Sequence, residues 1–213
     1  TAGLAACRAP GPDGRARRAA LNEAIVLKNY EFNAHGVELN QRYVSSAVLP
    51  DGAPAEVWAG DPELYHQPST RPGAALPHVW LVDGAERRIA SRDLVGMGAF
   101  TLLTGLSGGS WATAADRCRN ELDLPLRTVV VGGPDARDAY GDWARLVGAE
   151  LAEDGCLLVR PDGYIAWRCC AVPGDADAAY GALRGALLKV LSRTELEGAG
   201  HAATGGRRTG GHP

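Results

Sequence analysis

The chain is poor in lysine: Lys28 and Lys189 are the only two among 22 basic residues, and the rest are arginine. Methionine occurs once and phenylalanine twice. With arginine, alanine, glycine and proline abundant, this is the residue usage of a GC-rich bacterial genome, a statement about origin rather than chemistry. A surplus of charge is missing too. The 22 basic and 25 acidic residues leave a net charge of −3, so there is no basic stripe for a phosphate backbone and no nucleic-acid partner is expected. No run approaches the roughly 18 apolar residues of a membrane-spanning helix, and residues 1–18 lack the apolar stretch of a secretory signal. No membrane partner is expected either. The five cysteines are odd in number, with no CxxC and no metal-type spacing, which fits a reducing cytoplasm. An initiator methionine is lacking, so the sequence is read as a processed or truncated piece.

What is present is glycine and proline, 28 and 13 residues, and four stretches of different character. Residues 1–14 are punctuated as a turn, with Asp13 placed to cap the helix after it. Residues 15–35 have helical spacing, with Leu21, Ala24, Ile25, Lys28 and Phe32 on one face and Gly36 as the stop. Residues 37–46 read as extended. Residues 47–77 carry six prolines, a density that blocks regular helix and central strand. A connection of that length is expected to cross a domain boundary. The division is 1–46, a terminal helix and exit segment; 47–77, a linker; 78–195, a folded domain; and 196–213, a tail without apolar anchors, expected to be disordered.

Within 78–195 the pattern alternates. Residues 78–82 and 88–91 form a hairpin about Asp83 and Gly84. Residues 99–104 are a strand, 110–122 a helix capped by Ser107 or Ser110, and 128–131 a buried strand. A helix over 138–152 turns Tyr140, Trp143, Leu146, Val147 and Leu151 inward. Residues 156–160 and 164–168 are strands joined by a Pro-Asp-Gly turn. A helix over 175–191 closes the domain. Alternation makes the class α/β. The order strand–helix–strand–helix–strand–strand–helix is that of a thioredoxin-like domain, a mixed sheet flanked by helices.

A redox member of that fold places a thiol pair where the first strand meets the first helix, since a helix N-terminus lowers a thiol pKa. Here that position reads Leu106, Ser107, Gly108, Gly109, Ser110, Trp111, without a cysteine. Dithiol catalysis is rejected. Cys118 and Cys156 read as buried small hydrophobes, and Cys169–Cys170 as free thiols or a strained vicinal pair. The 106–110 turn fits neither the dinucleotide nor the phosphate-loop pattern; it reads as a tight turn, with an anion cradle as the alternative. His35, His66, His78, His201 and His212 make no metal pair, and no GxSxG supports a serine nucleophile. Glu31, Glu38 and Asp61 read as a solvated face. Trp80, Trp111, Trp143 and Trp167 read as fillers with satisfied indole N–H groups. No catalytic, cofactor-binding or metal-binding residue is assigned.

Four segments carry a family resemblance. Residues 25–43, IVLKNYEFNAHGVELNQRY, resemble the segment that leaves the flavin-bearing body of bacterial 2,4-dichlorophenol 6-monooxygenases. DPELY at 61–65, STRPG at 69–73 and LPHVWL at 76–81 resemble the crossing beyond that segment. FTLLTG at 100–105 and LVRPDGYIAWR at 158–168 are similar to the C-terminal thioredoxin-like domain of single-component flavin aromatic hydroxylases, the phenol hydroxylase group. The resemblance implies a parent enzyme that binds FAD, takes hydride from NAD(P)H and hydroxylates phenols ortho to the hydroxyl. It implies that this chain is the C-terminal structural or oligomerisation region, partnered by an N-terminal FAD/substrate domain and by further copies in a homo-oligomer. No flavin residue carries over, because no GxGxxG comes after a strand here. The competing reading is an independent, non-redox thioredoxin-like protein-binding module. A third is a thiol enzyme built on Cys169 and Cys170.

Overall fold

The computed structural model describes residues 2–193, so the expected tail, with His201 and His212, lies outside the described residues. Four strands make a mixed sheet: β3 (Phe100–Thr104), β4 (Leu126–Val130), β5 (Cys156–Val159) and β6 (Ile165–Cys169), in the order β4-β3-β5-β6. β3 runs parallel to β4 and antiparallel to β5, and β6 is antiparallel to β5. All five residues of β3 are buried, as a central strand covered on both faces requires. The helices are α4 (Gly109–Leu122), α5 (Asp142–Val147) and α6 (Ala176–Val190). With the strands they give the expected thioredoxin-like order. A short hairpin, β1 (Trp80–Val82) and β2 (Arg88–Ala90), stands before it as a separate two-stranded sheet.

The sheet separates two apolar layers. On one face Phe100, Leu102, Leu126 and Leu158 pack against Trp111, Ala115 and Cys118 of α4 and Leu183 and Leu187 of α6. On the other face Leu103, Leu157, Val159 and Ile165 meet Trp143 and Val147 of α5, with Leu81 of β1 and Leu76. Period-two alternation along the strands sends successive side chains to opposite layers. α6 begins where the sequence puts it: the Asp175 carboxylate accepts from the Asp177 and Ala178 amides, a regular N-cap.

Several expectations are corrected. Residues 1–14 are not all turn, since α1 (Ala2–Cys7) is helical and α2 runs Gly11–Phe32 from Pro10. Asp13 lies in the first turn of α2 instead of capping it. Gly36 does not stop that helix; α2 ends at Asn33, and Gly36 is buried in α3 (His35–Leu39), where extended chain is expected from residue 37. Its lack of a side chain is needed there, because a Cβ would lie 1.9 Å from the Pro62 carbonyl oxygen. The helix over 138–152 shrinks to the six residues of α5. Gly141 adopts φ +66° before it, and the Asp138 carboxylate reaches forward to the Trp143 and Ala144 amides at 3.2 and 2.9 Å. Neither serine caps α4, whose N-cap is Gly108 without a side-chain bond.

The proline-rich segment is irregular but well fastened. Ser69, Thr70, Ala74 and Leu76 are buried. Gly73 donates to the Ile165 carbonyl, Leu76 to that of Gly163 and Leu49 to that of Ala166, while Ile165 donates to Ala74. The crossing therefore covers the β6 edge, which would otherwise offer unpaired backbone groups to other chains. Asn40 holds the segment's start, donating to the Pro62 and Tyr65 carbonyls and accepting from the Gln67 amide.

Candidate functional site

The strand-to-helix turn after β3 is the place to look for chemistry in this topology. Ser107 donates to the Glu153 carboxylate at 2.7 Å. Gly108 is required by packing: a Cβ would fall 1.8 Å from the Thr104 hydroxyl oxygen. Gly105 faces the Glu153 carbonyl in the same way, at 2.3 Å. These glycines let side chain and backbone close in, and a carboxylate already stands beside the turn. A pyrophosphate would meet like charge here, so the turn does not fit the phosphate end of a flavin cofactor. The tight-turn reading accounts for the motif.

Behind this turn opens a cleft of about 630 Å³. Its walls are Leu106, Val131, Trp143, Val147 and Leu151, and its mouth carries Arg137, Asp138 and Glu153. It lies at the carboxyl ends of β3 and β4, neighbouring parallel strands whose next helices depart to opposite faces, α4 to one layer and α5 to the other. That is a topological switch point, where open α/β sheets bind ligands. The cleft has no counterpart among the expectations from sequence. Its lining is scattered over residues 104–153, and no local pattern announces a gap.

The individually considered residues disperse. Glu31 pairs with Lys28, Asp61 accepts from the Tyr30 hydroxyl, and Glu38 joins neither. His66 contacts the Asn40 side-chain oxygen at 3.0 Å, with its pKa lowered by burial and then by the Arg42 charge. His78 stacks edge-on against Trp80. Among the described residues no three His, Cys, Asp or Glu side chains gather to hold a metal ion. Of the four tryptophans read as satisfied fillers, Trp111 alone has an indole N–H partner among the described residues, the Asp154 carbonyl at 2.7 Å. Trp80 is partly exposed, with the Arg88 guanidinium 4.1 Å from its ring centre.

The cysteines are free thiols among the described residues. Burial pushes Cys118 up to about 11 and Cys156 well above the ordinary thiol value. Burial also raises Cys169, which is opposite to the activation a nucleophile needs. Iodoacetamide at pH 8 is therefore expected to alkylate exposed Cys170 at least about tenfold faster than Cys118 or Cys156. Peptide mass mapping over time reads this directly; equal rates would contradict the packing of both layers.

Fold and site together define a thioredoxin-like α/β unit without a thiol at its strand–helix turn, preceded by a long helix and a crossing that covers a sheet edge. The chain belongs to the aromatic-ring hydroxylase family: residues 69–194 match the family described as aromatic-ring hydroxylase, C-terminal. It is 45% identical over 192 residues to 2,4-dichlorophenol 6-monooxygenase of Cupriavidus pinatubonensis, covering 89% of this chain and 31% of that protein. To phenol 2-monooxygenase of a Pseudomonas species it is 45% identical over 177 residues, 83% of this chain and 29% of that one. The crystal structure of the flavin-dependent monooxygenase PieE in complex with FAD and substrate superposes with a TM-score of 0.76 at 40% identity, over 90% of this chain and 32% of PieE. The chain thus spans about 31% of the length of the chlorophenol relative, as a C-terminal portion.

Proposed function

We propose that this chain is the C-terminal structural region of an FAD- and NAD(P)H-dependent cytoplasmic monooxygenase that hydroxylates phenols, chlorophenols included, ortho to the hydroxyl. On this reading residues 1–46 leave an N-terminal body that holds flavin and substrate, residues 47–77 cross over, and residues 78–195 form the thioredoxin-like unit. Its task is to brace that body and to contribute to a homo-oligomer.

The observation that carries the reading is the surface of α2. Ile25, Val26 and Leu27 are 56%, 56% and 75% exposed, and Phe32 is 71% exposed. Three consecutive apolar residues at about 100° per residue cover most of a helix's circumference, not a single face. Such a helix is stable when buried on several sides, and among the described helices and strands α1 is the one that packs extensively against it, with Tyr30 also donating to Asp61 of the crossing. The hairpin strand adds little to this surface: Val79, Leu81 and Val82 are buried within the chain, and Trp80 is its one exposed apolar side chain.

Two measurements test the proposal. Sedimentation of the 213-residue chain with a dye for apolar surface is expected to show self-association and dye binding; a dye-silent monomer argues against it. Titration with FAD is expected to show no saturable binding, and tight stoichiometric uptake would overturn the assignment of the flavin to another part of the enzyme.

A further inference from the structure

We propose that the cleft at the carboxyl ends of β3 and β4 is a binding site for a small, uncharged aromatic molecule that carries an oxygen acceptor. The proposal is independent of the hydroxylase reading, since it uses only the lining of this cleft. Position is the first support: the cleft sits at the switch point where α4 and α5 leave for opposite layers.

Size and walls are the second support. A volume of about 630 Å³ falls in the range of roughly 300–1,000 Å³ usual for small-molecule sites. Leu106, Val131, Val147 and Leu151 give apolar walls, and Trp143 gives an aromatic one. Leu106 is 62% exposed, an apolar side chain left at the opening.

The third support is Trp143 itself. It is 9% exposed and lines the cleft, yet its indole N–H has no acceptor among the described residues. The indole nitrogen is not sealed off, for the fully enclosed unpaired side-chain atoms are the Thr101 and Thr128 hydroxyls. An oxygen on a ligand in the cleft can accept from this accessible donor.

The charges at the mouth decide the ligand's charge. Arg137 donates to Glu86 at 2.5 Å, Asp138 accepts from two α5 amides, and Glu153 accepts from Ser107. An ionic ligand would have to break one of these pairs, whereas an uncharged one leaves them intact.

The test uses 1-naphthol and naphthalene with the full 213-residue chain. The indole N–H resonance of Trp143, assigned with Trp143→Phe, is expected to shift saturably with 1-naphthol. Trp143→Phe is expected to weaken 1-naphthol about tenfold, one hydrogen bond's worth, and to leave naphthalene unchanged. Ala144→Phe, a change at an exposed lining position, is expected to abolish binding of both probes while the circular dichroism spectrum stays unaltered. The proposal is overturned by the absence of a saturable shift at millimolar 1-naphthol, by equal weakening of both probes in Trp143→Phe, or by undiminished binding in Ala144→Phe.

Discussion

Arg168→Ala is expected to cost about 3 kcal/mol of unfolding free energy, the lower end of what breaking a buried ion pair costs. The Arg168 side chain is 5% exposed and donates to Asp51 at 2.5 Å, to the Thr70 hydroxyl at 2.8 Å and to Glu150 at 3.2 Å. Glu150 also accepts from the Thr70 amide at 2.7 Å. Removing the guanidinium leaves the Asp51 and Glu150 carboxylates without the cation that both of them bind. Glu150 is 31% exposed, so water relieves part of the penalty, which is why the lower end applies. A control at the exposed pair of Arg119 and Asp116, Arg119→Ala, is expected to change stability by less than about 0.5 kcal/mol. Urea unfolding measures both; equal effects would mean that the buried cluster does not fasten the crossing to the sheet.

The same cluster sets a pH dependence. Burial alone would raise the Asp51 carboxyl, but the Ala53 amide and the Arg168 guanidinium outweigh it and hold it below the usual carboxylate value. Glu56 is arranged likewise: burial opposes, and Arg42, bonded at 2.8 Å through two nitrogens, prevails. A carboxyl whose folded pKa lies below its unfolded value stabilises fully above the unfolded value, about 4, and that contribution is lost as pH falls through the folded one. Acid unfolding below about pH 4 is therefore expected to be less steep in Arg168→Ala.

How much of this was legible depends on the range of each interaction. β3 and the β5–β6 pair were legible because buried strands are written as short apolar runs, FTLLT and CLLV, and Pro161-Asp162-Gly163 marks the turn between the latter two. α6 was legible because Asp175 caps it and Leu183 and Leu187 recur one turn apart. α5 was misjudged in length because Asp138 and Gly141 act on chain direction, which periodicity does not register. α1 has no apolar period to read. The clasp was out of reach for a simpler reason: Arg168 and Asp51 lie 117 residues apart. The unpaired indole of Trp143 was equally hidden, since an absent acceptor is a property of the assembled layers. Family resemblance filled a different gap. It pointed to the aromatic-ring hydroxylase family from runs such as residues 25–43, where the local physics of an exposed apolar helix gives no family at all.

Trp111→Ala is expected to lower stability by about 3–5 kcal/mol, the usual cost of deleting a buried tryptophan. Trp111 is fully buried on α4, beside the turn where a dithiol enzyme of this topology would carry its nucleophile. Its ring meets Trp167 edge-on at 5.8 Å, and its indole N–H donates to the Asp154 carbonyl just before β5. The side chain therefore ties α4 to the β5 end of the sheet and fills the layer that α6 closes. Trp111→Phe keeps most of the apolar volume and gives up the hydrogen bond, so a loss of about 1–2 kcal/mol is expected. For a domain of this size each kcal/mol moves the melting temperature by about 2–4 °C, which places Trp111→Ala about 10 °C below the parent chain and Trp111→Phe about 4 °C below. Calorimetry reads the series. An alanine variant that melts with the parent chain would mean that this end of α4 is free to move, as a reactive site requires and a brace does not.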